Sequence, residues 1–312
     1  MSSLHALVFV ASAFDASHMR FLLQNFINAL SYGSIYALYA LGIALIFGIM
    51  QLINFAHGEL IMVGAYSVVL LGSAPWPLLL LATVAIVVVF ALVMERIAFR
   101  PVRGAKPGTL LITSFALSYL LQNVATVVFG ALPKSTSFAT SLSESLSGGK
   151  VSFAKYDVLT VVVTFGLLVL LGGFLSRTRV GVEMRAAAED FRMARVLGVK
   201  ANVVIATAFA ISGILAAAAS VLLVIQTGSV TPTMGSTPVL VAFVATVLGG
   251  IGSLRGAVLG GYLLGFVTVA LQAYLPLELR YYRDAFAYGA VIAMLLIRPQ
   301  GLIVSKTVIT RV

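Results

Sequence analysis

His57 and Glu59 stand out first, because both lie at the mouth of a strongly apolar stretch, Gly58 to Gly72. An ionisable group in an apolar segment is costly and usually has a role. One role is contact with a solute on a pathway. The other is architectural: Glu59 falls in the first turn of a helix, where its carboxylate can satisfy free N–H groups and complement the helix dipole. Asn54 is placed to cap the same end. Architecture is the stronger of the two readings. Gly58, Gly64, Gly249, Gly250 and Gly252 would let backbone line a narrow path or turn back within a membrane, although each alone also fits plain helix packing. Thr113, Ser114 and Ser118 fall on similar faces of a later apolar stretch and are further pathway candidates. Ser31, Ser34, Gln122, Asn123, Thr207, Ser212 and Thr246 are expected to make helix-to-helix hydrogen bonds.

Reactive constellations are missing. There is no cysteine, hence no disulfide framework, thiolate metal site or Cys nucleophile. His5, His18 and His57 are scattered without metal-ligand spacing. The chain has neither a Gly-x-x-x-x-Gly-Lys-Ser/Thr phosphate loop nor a Gly-x-Ser-x-Gly nucleophile turn. The expectation is a chain that binds no cofactor and is not itself an enzyme.

The elements that must carry these residues follow from composition. Of 312 residues, 61% are hydrophobic and only 10% charged, against about 25% charged in a soluble domain. The solvent for most of this chain has to be lipid. A formal charge of +10 would suggest nucleic acid in a soluble protein, but here Lys and Arg fall in loops between apolar runs, where they set orientation. No nucleic-acid partner is expected.

Apolar runs cover 21–49, 58–72, 77–95, 109–130, 157–176, 203–225, 239–250, 256–275 and 285–298. They do not alternate as barrel strands do, so the fold class is all-α: a polytopic membrane helix bundle with about eight or nine spans, some short or discontinuous. The runs at 58–72 and 239–250 are too short for ordinary spans. Each adjoins a polar or glycine-rich break, 51–58 in one half and 249–256 in the other. Paired broken segments in corresponding halves point to a transport pathway. A faint echo supports the pairing: His57-Gly58 precedes Gly64-Ala65-Tyr66, and Arg255-Gly256 precedes Gly260-Gly261-Tyr262.

With loops 96–108 and 177–202 and the C-terminus in the cytoplasm, most basic residues lie inside, as the positive-inside bias requires. This predicts a multi-pass inner-membrane protein with its N-terminus periplasmic and its C-terminus cytoplasmic. Residues 1–20 have no basic start for a secretory signal and read as a loosely ordered N-terminal extension. Residues 21–305 form the membrane domain, and 306–312 a tail. The polar stretch 131–156 is the longest external loop, either a partner surface or a solvated connection.

The loop 177–202 is the most informative. Ala186 to Leu197 consists mainly of good helix formers, and Gly198 can supply a left-handed stop. On a helical wheel Ala187, Phe191, Ala194 and Leu197 or Gly198 share one face, with Glu189 pointing elsewhere. Such a short amphipathic helix either lies on headgroups or docks in a groove on a partner.

Ala187-Ala188-Glu189, with a glycine further on, resembles the loop by which ABC-importer permeases engage their ATPases. The block from Asn28 to Gly42, then Phe47-Gly48 and Ile53-Asn-Phe-Ala-His-Gly-Glu59, is similar to the opening of high-affinity branched-chain amino acid permeases, specifically the shorter of two paralogous membrane subunits. Leu248 to Gly260 and Arg298-Pro-Gln-Gly-Leu302 fit the same family, so the resemblance spans roughly residues 20–305. It implies a permease subunit importing leucine, isoleucine or valine, with urea or short-chain amides the alternative substrates. A less favoured alternative is an ion-coupled secondary transporter using Glu59 or Glu95. The resemblance also implies partners: a paralogous permease chain, two ATP-binding cassette subunits that use ATP and Mg, and a periplasmic substrate-binding protein. It makes 186–198 a cytoplasmic coupling helix, formed by Ala186, Ala187, Ala188, Glu189, Phe191, Ala194, Leu197 and Gly198.

Overall fold

An apolar run in lipid must satisfy its backbone groups within itself, and a helix does so. The computed structural model, which describes residues 2–136, 145–148 and 151–303, is a helix bundle. In chain order the helices are α1 (Ser2–Met50), α2 (His57–Leu70), α3 (Trp76–Met94), α4 (Pro107–Phe129), α5 (Lys155–Arg177), α6 (Arg179–Glu189), α7 (Phe191–Val196), α8 (Ala201–Thr227), α9 (Ser236–Gly249), α10 (Leu254–Tyr274) and α11 (Arg283–Ile297). A π-helical turn, Glu95–Phe99, extends α3, and a 3-10 turn, Leu277–Tyr282, precedes α11. Two short antiparallel ladders complete the fold. β1 (Lys134–Ser135) pairs with β4 (Ser229–Val230), and β2 (Ser145–Gly148) pairs with β3 (Val151–Ala154) within the expected external loop.

Six helices are long and apolar enough to cross a bilayer, and α2 and α9, at 14 residues each, are shorter apolar helices. The expected short runs are therefore real half-length helices. The first twenty residues continue α1 as helix back to Ser2, where a loosely ordered extension was expected. The part of α1 apolar enough to span is Met19–Met50. The tail 306–312 lies outside the described residues, as does part of the loop 131–156.

Burial sorts the bundle into core and rim. The most apolar windows of α1 and α8 are 78% and 72% buried, that of α4 only 11%. α2 is buried along nearly its whole length, as expected of a helix apolar on every side. α1 packs on α8, α9 and α10, and α2 fits between α3 and α8. Small residues set the α1–α10 spacing. Gly33 and Ala37 on α1 face Gly265 and Gly261 on α10, and a Cβ added at either of the latter would strike α1 backbone. Small residues four apart on both helices are the usual means of close approach in lipid. Gly261 thus belongs to packing, and the echo between the two Gly-Tyr blocks does not place them at equivalent sites.

Candidate functional site

α1 ends at Met50, and the chain from Gln51 to Asn54 carries no helix before α2 starts at His57. In the other half α8 stops at Gly228, which takes the left-handed conformation, and the chain runs through β4 and a turn before α9 starts at Ser236. The two half-length helices begin against each other. A Cβ at Gly58 would fall on the Gly235 carbonyl, and a Cβ at Gly235 on the Gly58 carbonyl. Only glycine at both positions permits this crossing of backbones. The partner of the 51–58 break is therefore 228–235, not 249–256. Position 235 carried no signal beyond a single glycine beside a methionine.

The three residues at the start of α2 tie the crossing to its surroundings. His57 is 1% exposed, and its Nδ1 lies 3.1 Å from Ser212 Oγ on α8. The Ser212 hydroxyl donates to the Gly42 carbonyl of α1 at 3.1 Å, which leaves its oxygen to accept from the imidazole. The other ring nitrogen, Nε2, faces Gly42, where any side chain would overlap the ring. Glu59 is fully buried. Its Oε1 accepts from Ser118 Oγ at 2.7 Å and from Gln122 Nε2 at 2.8 Å, both on α4. The same Gln122 amide donates to Ser236 Oγ in the first turn of α9 at 3.2 Å. Glu59 Oε2 and His57 Nε2 have no hydrogen-bond partner among the described residues. In sum, α1, α4, α8 and α9 all meet at His57-Gly58-Glu59.

Several expectations change in detail. Asn54 does not cap α2. Its Oδ1 accepts from the Ala56 N–H at 3.1 Å, fixing the turn before the helix, and Ala56 is the N-cap without a side-chain bond. Glu59 reaches across to Ser118 and Gln122 of α4 rather than to its own helix N–H groups. Ser114 and Ser118 face inward, the Ser114 hydroxyl shared between the Leu111 carbonyl of its own helix at 2.8 Å and the Ile53 carbonyl at 3.3 Å. Thr113 bonds back to Thr109 on the exposed side and takes no part. Gln122, Ser212 and Ser236 were missed as members: the first two read as ordinary helix-to-helix bonds, and Ser236 fell outside the apolar run. Phe55 seals the break, stacked on Phe115 at 4.1 Å and leaning on Phe243 at 5.6 Å.

Gly249, Gly250 and Gly252 serve the far end of α9. Gly250 (φ 109°) and Gly252 (φ 87°) take positive φ and turn the chain into α10. The Leu302 and Ile303 N–H groups bond to the Leu248 and Gly249 carbonyls, so this turn also anchors the last described segment. Gly64 packs on Ser220 of α8.

Two cavities lie in the bundle, one beside the crossing and one away from it. One, of 310 Å³, lies between α1, α8 and the start of α9. Tyr32, Tyr36 and Tyr39, at helical spacing on one face of α1, form one wall, and Gln226, Thr231 and Thr237 supply polar groups opposite. Mostly apolar walls with a few polar groups are typical of small-molecule sites. The second, of 490 Å³, lies at the α6 end, between Gly48 and Ile49 of α1, Ala188 and Glu189 of α6, and the Gly252–Arg255 turn.

The expected coupling helix is two helices. Thr178 caps α6 at Gly181 N, and Asp190 ends α6 and caps α7, accepting from the Arg192 and Met193 N–H groups at 2.9 Å. An Asp is a strong N-cap, so the helix is interrupted where continuity was expected. Gly198 (φ 92°) supplies the expected left-handed stop. Ala187 and Ala194 are buried against the chain's own body and Phe191 is half-buried, while Leu197 is 78% exposed and does not share their face. Ala186, Glu189 and Gly198 are exposed and Ala188 is half-buried. The outward apolar face consists of Met193, Val196 and Leu197.

A bundle with two broken helices meeting at buried polar groups belongs to the class of polytopic membrane permeases. The sequence profile described as branched-chain amino acid transport system, permease component, matches residues 25–296, and the chain belongs to that family. It is 39% identical to the high-affinity branched-chain amino acid transport system permease protein BraD of Pseudomonas aeruginosa, over 90% of this chain and 95% of that protein. It is 35% identical to LivH of Escherichia coli, a permease protein of the same named system, over 91% of this chain and 96% of LivH. A partial likeness of 39%, covering 33% of this chain, links it to the autoinducer 2 import system permease protein LsrC of Klebsiella pneumoniae. No solved structure matches the chain.

Proposed function

We propose that this protein is a membrane permease subunit of an ATP-driven importer that carries branched-chain amino acids into the cytoplasm. The observation that carries the reading is the likeness to BraD and LivH along nine-tenths of the chain. The cavity beside the crossing supports it: an aliphatic side chain suits the tyrosine-lined wall, and Gln226, Thr231 and Thr237 suit a polar end.

The mechanism follows from the contrast between fixed and movable parts. The crossing at Gly58 and Gly235 is the fulcrum, held by His57 and Glu59. α6 and α7 are the handle, exposed to cytoplasmic ATPase partners through Met193, Val196 and Leu197. Movement of α6 would open or close the 490 Å³ cavity that Ala188 and Glu189 line. With the tyrosine-lined cavity facing the periplasm, a binding protein delivers the amino acid there, and nucleotide-driven closure of two ATP-binding cassette subunits redirects access inward. A paralogous permease chain completes the membrane core. The N-terminus is periplasmic and the C-terminus cytoplasmic, the arrangement that keeps Arg96, Arg100, Arg103 and the α6–α7 cations inside.

The test is uptake of radiolabelled leucine by proteoliposomes holding the complete complex, with binding protein outside and ATP within. Accumulation that needs both supports the reading. Accumulation by this chain alone under a proton or sodium gradient overturns it in favour of an ion-coupled transporter. ATP-dependent accumulation of urea or acetamide in place of leucine overturns the substrate assignment.

A further inference from the structure

A groove of 590 Å³ at the α7 end of the bundle shares no lining residue with the two cavities above. Its walls are Arg103, from the turn after α3, with Phe191 and Arg195 of α7. Its floor is Lys200 and the first turn of α8, Ala201 to Ile205. Phe191 and Arg195 are four residues apart and share one face of α7. The apolar trio Met193, Val196 and Leu197 occupies another, and Ala194 points into the core.

The groove is basic. Arg103 forms an ion pair with Glu95 and donates to Asn202 Oδ1 at 2.7 Å. Arg195 and Lys200 have no carboxylate partner among the described residues, and both are exposed. Lys200 is the N-cap of α8 and supplies no side-chain bond to it. The positive end of a 27-residue helix therefore adds to the two free cations. That helix is also an apolar span, so its first turn lies where the chain enters hydrocarbon. A cationic recess at that depth, with an aromatic wall, matches the phosphate of an anionic phospholipid better than a protein side chain. A docking protein would first meet the apolar trio on the outer side of α7.

We infer that this groove is a binding site for the headgroup of an anionic phospholipid. Arg195 and Lys200 hold the phosphate, and Arg103, kept in place by Glu95 and Asn202, forms the back wall. The lipid would hold α7 at the membrane boundary while its outward face remains free for a partner. Assignment to the cytoplasmic leaflet rests on the proposed orientation, but the charge argument does not.

The test uses the full chain purified in mild detergent and titrated with phosphatidylglycerol, with phosphatidylcholine of the same acyl chains, and with inorganic phosphate, read by native mass spectrometry and thermal unfolding. Selective retention of phosphatidylglycerol, with a raised Tm, is expected. Arg195→Gln with Lys200→Gln together should weaken that binding roughly 30-fold, as two cations near a lipid surface imply, without altering the lipid-free Tm. Arg179→Gln with Arg192→Gln, two exposed cations of α6 and α7 outside the groove, removes the same charge and should cost no more than about 5-fold. Equal losses in both variants would reduce the effect to diffuse surface charge and overturn the site. So would equal binding of phosphatidylcholine, or of phosphate alone. A double variant that keeps the lipid but loses its ATPase subunits would assign the groove to a protein. None of these readouts depends on transport, so failure here leaves the importer reading intact.

Discussion

The start of α2 and the α6–α7 segment both carry ionisable groups beside small residues, yet the structure treats them oppositely. At the start of α2, Glu59 and His57 are enclosed and bonded to α4 and α8, and the Gly58 and Gly235 backbones touch. In α6–α7, the small residues Ala187 and Ala194 anchor the segment to the body, while Arg192, Arg195 and Glu189 remain exposed. A buried polar network has one good arrangement and a high cost for leaving it. Exposed charges contribute little to any one position, so the segment that carries them can shift cheaply. One polar cluster is locked inside the bundle and the other is left at its surface.

The contrast is broken most directly at Gly58. Gly58→Val forces a side chain onto the Gly235 carbonyl, and backbone cannot yield as a flexible side chain does. A loss of more than about 4 kcal/mol is expected, the range of severe overpacking with backbone displacement. In practice the variant should be absent from membranes or aggregate on extraction, as measured by size-exclusion chromatography of the solubilised protein. A monodisperse Gly58→Val protein with wild-type Tm would mean that the two half-helices do not meet.

Glu59 sharpens the same side of the comparison. Glu59→Leu removes the acceptor for the buried Ser118 hydroxyl and leaves the half-buried Gln122 amide only Ser118 and Ser236, at a cost of about 1–3 kcal/mol. Glu59→Gln keeps an acceptor oxygen and should recover most of that loss. The pair is read by thermal unfolding in one detergent. Equal Tm values for the two variants would show that the bonds to α4 do not hold the crossing.

Much of this was legible in the sequence, for a physical reason. Apolar runs without alternation leave helix as the only way to satisfy backbone in lipid, so span positions, the half-length runs at 58–72 and 239–250, and the break at Asn54–Gly58 could all be located. What joins to what was harder. Gly235 meets Gly58 only because the chain from Gly228 to Gly235 leaves the helix after α8, and neither glycine differs locally from those that pack α1 on α10. The glycine-dense 249–256 drew attention for its composition, whereas its work is a turn into α10. Orientation about a helix axis was also partly hidden: Ser114 and Thr113 are neighbours in sequence and both bond back to their own helix, yet Ser114 is buried within reach of the Ile53 carbonyl and Thr113 lies on the exposed side. In the loop 177–202, helix propensity over 186–197 was read correctly, but the capping strength of Asp190 was not weighed against it.

The other half of the contrast is tested at the outward face of α7. Val196 and Leu197 are 81% and 78% exposed, so Val196→Asp with Leu197→Asp removes no internal contact. The Tm should stay within the scatter of a surface change, about 0.5 kcal/mol. Ruining an apolar anchor at an interface typically costs 1 kcal/mol or more, at least about a 5-fold weakening of association. Leucine-stimulated ATP hydrolysis and uptake by the complex should fall together by that factor or more. Ala187→Leu gives the counterpart, because Ala187 is buried against its own chain: it should lower Tm first and transport as a consequence. If instead the double aspartate variant transports normally while Ala187→Leu uncouples hydrolysis from uptake at unchanged Tm, the handle engages its partner through the alanine face, and the division between an anchored face and a free one fails.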